Sequence, residues 1–129
     1  MKNNKIMKKS EIGKIGEEKA CEFLIKNGYE VLERNYWQKF GEIDIIAKAG
    51  DQTLAFIEVK TLLIKCGSAF SPEDNLTTQK YRNVKRMGEF FAAGHDYLIN
   101  EKRGWRIDLI AVEFFDEKEE FILRHYENI

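Results

Sequence analysis

The chain has 129 residues, 43% of them hydrophobic and 33% charged, with nine Gly and a single Pro. That length suits one domain, and the mix excludes disordered, collagen-like and low-complexity classes. Lys and Arg number 21 against 22 Asp and Glu, a formal charge of −1, so affinity for nucleic acid cannot come from bulk charge.

Residues 1–10 carry Lys2, Lys5, Lys8 and Lys9 and no acid, and read as a basic, flexible arm ahead of a single domain spanning 11–129. Too little apolar sequence follows the lysines for a signal peptide, so the cytoplasm is the expected address. No apolar run approaches the roughly 20 residues that cross a bilayer. Ser10 is the expected cap of a helix over 11–27 that Gly28 ends. At about 100° per residue, Ile12, Gly16, Ala20, Phe23 and Leu24 share its apolar stripe. Glu17 borders that stripe, whereas Glu18 and Glu22 point away. Residues 29–34 read as a strand, 35–40 as a polar-aromatic loop, and 42–48 as a strand. A turn over 49–52 leads to a strand over 53–61, rich in β-branched and aromatic residues. A loop over 62–76 follows, with Gly67, Ser68, Ser71 and Pro72. A second helix runs from Thr77 or Thr78 to about Ala93 and stops at Gly94, with Val84, Met87 and Phe91 as its apolar stripe. Strands are expected over 105–112 and 120–125.

The order α-β-β-β-α-β-β predicts an α/β fold: a mixed central β-sheet with an antiparallel hairpin, flanked by helices. The central hairpin loop is too short for a crossover, while the second helix permits parallel pairing of the strand that follows it.

The informative block is Gly41-Glu42-Ile43-Asp44-Ile45-Ile46 followed by Phe56-Ile57-Glu58-Val59-Lys60. Strand alternation puts Glu58 and Lys60 on one face, and sets Glu42 and Asp44 opposite Ile43 and Ile45. Acids among such neighbours are costly unless paired or bound to a cation. An odd hairpin loop would oppose Asp44 to Glu58; a two-residue Gly50-Asp51 turn would put them on opposite faces. In the odd register the two carboxylates make a hard oxygen site for Mg²⁺ or Mn²⁺ beside Lys60. The competing reading is a cross-strand ion pair on an exposed face.

Lys80 falls on the core-facing stripe in the first turn of its helix, where a cation is disfavoured. It calls for an anionic partner, a sheet carboxylate or a phosphate, or else its stem snorkels to water. With Arg82, Lys85 and Arg106 it makes up the candidate nucleic-acid contacts. Solvated charge is the competing reading for Arg82, Lys85 and Arg86, and a local pair with Asp108 that for Arg106. Tyr36 and Trp37 read as core or rim packing, with base stacking as the alternative. His95 and His125 read as tail packing or solvent-exposed. Cys21 and Cys66 lack metal or redox spacing, Ser68 and Ser71 lack a nucleophile context, and Gly13 and Gly16 read as close helix packing.

Taken together, Gly13-x-x-Gly16-Glu17-x-x-Ala20, Gly28-Tyr29, Glu33-Arg34-Asn35, the 41–47 and 56–61 blocks, Lys80 and Arg106-Ile107-Asp108 resemble the YraN family of small bacterial proteins. The resemblance covers residues 11–112. Leu62 stands where the family usually carries Arg. The family is similar to the PD-(D/E)XK nuclease superfamily, which implies a restriction-endonuclease-like fold and a Mg²⁺- or Mn²⁺-dependent phosphodiester hydrolase. By position, the resemblance implies Asp44 and Glu58 as metal ligands, Lys60 as the catalytic lysine, and Glu17 as the helix acid of resolvase-like members. The implied substrate is DNA, branched or single-stranded, and junction-cutting relatives are often homodimers. A non-catalytic nucleic-acid-binding module and a protein-interaction adaptor are the alternatives to an endonuclease.

Overall fold

A computed structural model of the protein describes residues 9–64, 77–115 and 120–129. The expected basic arm as far as residue 8, most of the 62–76 loop with Cys66, Ser68 and Ser71, and the acids of 116–119 lie outside the described residues.

The first helix, α1 (Lys9–Lys26), buries Ile12, Ala20, Cys21 and Leu24. It starts before Ser10, which therefore sits inside its first turn rather than capping it. At the other end the Tyr29 N–H reaches back to the Leu24 carbonyl at 2.9 Å and closes the helix. Strand β1 (Glu30–Gln38) runs past the expected boundary and takes up most of the polar-aromatic loop. As the edge strand, with a neighbour on one side only, it carries Gln38 opposite Gly41, while Asn35, at φ 52°, is left out of the ladder between Arg34↔Ile45 and Tyr36↔Ile43. β2 (Gly41–Lys48), β3 (Leu54–Ile64), α2 (Thr78–Gly94), β4 (Trp105–Phe115) and β5 (Glu120–Tyr126) follow, with a short 3₁₀ turn at Asp96–Leu98.

The five strands lie in chain order, and every neighbouring pair is antiparallel except β3 with β4. The parallel pair is the one whose connection contains α2, as the crossover requirement demands. Alternate residues of β3 and β4 feed two cores. Ala55, Ile57, Ile110 and Val112 pack with Ile45, Ala47 and the Ala20-Cys21-Leu24 stripe of α1. Leu54, Phe56 and Ile107 pack with Ile43, Ile46 and the Val84-Met87-Phe91 stripe of α2. The helices thus cover opposite faces of the sheet.

Two glycines set how closely the helices approach. A Cβ at Gly16 would fall 1.7 Å from Thr61 Oγ1, and one at Gly88 would fall 2.8 Å from the Phe56 ring. Gly16 is the crossing point of α1 over β3. Gly13 is not such a contact, since a Cβ there would meet open space.

Candidate active site

Residues 49–53 connect β2 to β3, an odd count, and the pairs Ile45↔Ile57 and Ile46↔Phe56 set the register. The next step brings Asp44 against Glu58, but there the backbone ladder ends. The Val59 N–H donates to Asp44 Oδ2 at 2.8 Å, so a side chain replaces the carbonyl expected there. β2 alternates imperfectly across this point: Ile43 joins the α2 core and Ile45 the α1 core. This corrects the expectation that Ile43 and Ile45 share a face, because the carboxylate, not the peptide, carries the bond at Asp44. Beyond Ile57, β3 pairs with β4 alone among the described residues, and the two strands of the hairpin open into a fork.

Helices reach the fork from both faces. From α2, Lys80 Nζ makes an ion pair with Glu58 Oε1, the lysine side chain 45% exposed and the glutamate buried. Thr77 caps α2 by accepting from the Lys80 N–H at 3.1 Å. The cation disfavoured at a helix start is therefore held by a sheet carboxylate, one of the two partners the sequence allows. From α1, half-buried Glu17 lines a cavity of about 360 Å³ with Ile12, Gly13, Lys60, Thr61 and Lys80. An adjoining cavity of about 240 Å³ is bounded by Gly41, Glu42, Asp44, Glu58, Lys80 and Asn83. Lys80 belongs to both walls. The structure thus gathers Asp44, Glu58, Lys60, Glu17 and Lys80 around one fork. Glu42 and Asn83 join them; Asn83 lies one helical turn beyond Lys80, a spacing that could have flagged it.

The electrostatics are those of crowded acids. Burial, and then the charge of Glu58, push Asp44 up to about 8 from an ordinary 3.8, against the lowering effect of the Val59 hydrogen bond. Burial and the Glu42 carboxylate raise Glu17, partly offset by Arg34 and a hydrogen bond from Asn35. Burial pulls Lys80 down, yet its bond to Glu58 and the charges of Glu58, Asp44 and Glu42 outweigh that and raise it.

The remaining candidates lie elsewhere. Arg82 and Lys85 are on the exposed side of α2. Arg106 is not brought to the fork: its Nε donates to Asp108 Oδ1 at 2.9 Å and its Nη2 to the Tyr29 hydroxyl at 2.7 Å. Asp108 is fully buried and also takes His125 Nε2 at 2.8 Å and the Asn128 N–H at 2.9 Å. Despite burial, those three donors hold its carboxyl below the ordinary range. His125 is therefore an internal partner, which its isolated place in the sequence could not signal. His95 stacks on Phe91 at 4.0 Å. Tyr36 packs against Phe91, as a core residue should, whereas Trp37 is 67% exposed.

These elements define an α/β protein with a mixed five-stranded sheet that gathers two carboxylates and two lysines where a hairpin splits. Residues 16–112 match the model of the uncharacterised protein family UPF0102, and the chain belongs to that family. It is 51% identical over 86 residues to a UPF0102 protein of Caldicellulosiruptor saccharolyticus, covering 66% of this chain and 70% of the other. A UPF0102 protein of Caldicellulosiruptor bescii is 40% identical over 113 residues, 87% of this chain and 89% of that one. One of Campylobacter concisus is 39% identical over 101 residues, 78% and 82% of the two chains. Among solved structures, a repair endonuclease from Pyrococcus abyssi superposes with a TM-score of 0.40 at 14% identity, over 90% of this chain and 42% of that one.

Proposed function

We propose that the protein is a divalent-metal-dependent nuclease that hydrolyses phosphodiester bonds in DNA at the β2–β3 fork. The observation that carries this reading is the opposition of Asp44 and Glu58 at the end of the ladder, where Asp44 is pushed up to about 8. A fold does not gain by crowding two acids; a cation or a shared proton relieves them. Among the described residues no group of three or more His, Cys, Asp or Glu side chains is placed to hold a metal. Two carboxylates nevertheless fit Mg²⁺, which is commonly held by one or two carboxylates, with water and substrate phosphate completing its shell. Asp44 and Glu58 would hold the ion; when bound, it supplies Lewis-acid activation and charge neutralisation at phosphate.

The chain's own residues do the rest. Val59 N–H fixes the Asp44 carboxylate through Oδ2. Lys60, on the wall shared with Glu17 and Lys80, supplies positive charge where negative charge grows on a scissile phosphate. Lys80 balances Glu58 and bridges the two cavities. The test is cleavage of branched, single-stranded and duplex DNA with Mn²⁺, by wild type beside Asp44→Asn and Glu58→Ala. Metal-dependent cleavage lost in both variants is expected. No wild-type cleavage on any of the three, or equal cleavage by the variants, overturns the proposal.

A second reading, a nucleic-acid-binding module without catalysis, draws on the Glu58–Lys80 ion pair, which already neutralises one acid without a metal. DNA binding that weakens with salt, needs no metal and survives Asp44→Asn would favour it.

A further inference from the structure

α2 carries Lys80, Arg82, Lys85 and Arg86 ahead of its acid, Glu89, on a chain of net charge −1. α2 is therefore net positive, whereas the four lysines and four glutamates of α1 cancel. Next to it stands an aromatic group at the rim of the α2 core, in which Phe40 is partly buried against that core and Phe90 faces solvent. The Arg86 guanidinium lies over the Phe40 ring, 4.7 Å from its centroid. Phe40 meets Phe90 edge to face, centroids 5.7 Å apart, and Phe90 is 50% exposed. Trp37, 67% exposed, sits three positions before Phe40 in the hairpin formed by β1 and β2.

This group is continuous with the fork on two sides. Gly41 and Glu42, which follow Phe40, line the carboxylate cavity, as do Lys80 and Asn83 of α2. From Asn83 to Arg86 and on to Phe90 is about 5–10 Å along the helix at 1.5 Å per residue.

We propose that Phe40, Phe90 and Arg86 form a stacking platform for unpaired bases, and that the nucleic acid reaching the fork is single-stranded at this point. Phosphates would track Arg82 and Lys85. Bases in a duplex have their faces covered by their neighbours, so only an unpaired or splayed base can offer its face to a ring or a guanidinium. Charge selects the occupant: an apolar protein surface would have to desolvate Arg82 and Lys85, whereas a polyanion gains from them. The direction of the strand toward the fork rests on the nuclease reading; the platform itself does not.

The test measures binding of the full chain in EDTA, without cleavage, by fluorescence anisotropy. The probes are an oligothymidylate and an abasic strand with the same number of phosphates. Wild type should prefer the base-bearing strand by about tenfold, the scale of one stacked base. In the Phe40→Leu/Phe90→Leu double variant, which keeps apolar bulk, that preference should drop below about threefold while abasic binding and its salt dependence stay unchanged. Equal wild-type affinity for the two strands, no binding of either, or an equal loss on both strands in the variant overturns the platform. Base-selective binding without cleavage strikes the nuclease reading alone; base-blind binding with metal-dependent cleavage strikes this inference alone.

Discussion

Replacing Asp44 by Asn should make the metal-free protein more stable, and increasingly so as pH rises. The substitution preserves shape and an acceptor for the Val59 N–H, but removes the charge that Glu58 opposes. In the folded chain Asp44 titrates at about 8, and when unfolded near its ordinary 3.8. Below the lower value both states hold the proton and the group costs nothing. Between the two, only the unfolded chain releases it, so stability falls by up to about 1.4 kcal/mol per pH unit. Above pH 8 the cost is complete, with a ceiling of about 6 kcal/mol. Relaxation of the surroundings and entry of water lower the realised cost, to roughly 2–3 kcal/mol. For a chain of this length that is roughly 8–12 °C in Tm. Urea unfolding of wild type and Asp44→Asn in EDTA, at about pH 5, 7 and 8.5, reads the difference. The gain should be small at the lowest pH and largest at the highest. A gain that does not change with pH, or a loss at pH 8.5, refutes the argument that Asp44 is a strained acid held for something other than stability.

Millimolar Mn²⁺ should raise the wild-type Tm, by about 2.7 kcal/mol of stability at a hundredfold excess over Kd, and leave Asp44→Asn unmoved in the same thermal-shift assay. Lys80→Met should cost about 1–2 kcal/mol near pH 8 by leaving buried Glu58 unpaired, and the loss measured by urea unfolding should shrink on an Asp44→Asn background. Gly16→Ala should destabilise by about 1–3 kcal/mol, because its methyl would overlap Thr61, and Thr61→Ala should recover part of that in a double-mutant cycle. Asp108→Ala should cost about 3 kcal/mol above pH 5, by removing the buried acceptor shared by Arg106, His125 and the Asn128 N–H. Since Asp108 is held below its ordinary range, its contribution is present above about pH 4 and lost below it, and the variant should lack that acid-induced part of unfolding.

Much of this site was legible in the chain because period and spacing are local properties. Alternation in 56–60 put Glu58 and Lys60 on one side of β3, and helical phase singled out Glu17 over Glu18 and Lys80 over Arg82. Other features were hidden because they depend on partners distant in sequence. His125 is held by Asp108, seventeen positions earlier, and Arg106 by Tyr29 from across the domain. The extension of β1 through Asn35 and Gln38 reads as loop from composition, and becomes strand only because β2 offers a ladder on one side.

From the sequence alone came the α-β-β-β-α-β-β order, the mixed sheet, the apolar stripes of both helices and the shortlist of charged residues that break those stripes. Each is set by side-chain period and turn chemistry over a few residues. The hairpin register, the fork where Asp44 takes the Val59 N–H, and the choice of Glu58 as partner of Lys80 were decided only in three dimensions. One added or missing loop residue would have turned Asp44 away from Glu58, because strand faces alternate with every position, and the cost of crowding two acids exists only once packing removes the water between them.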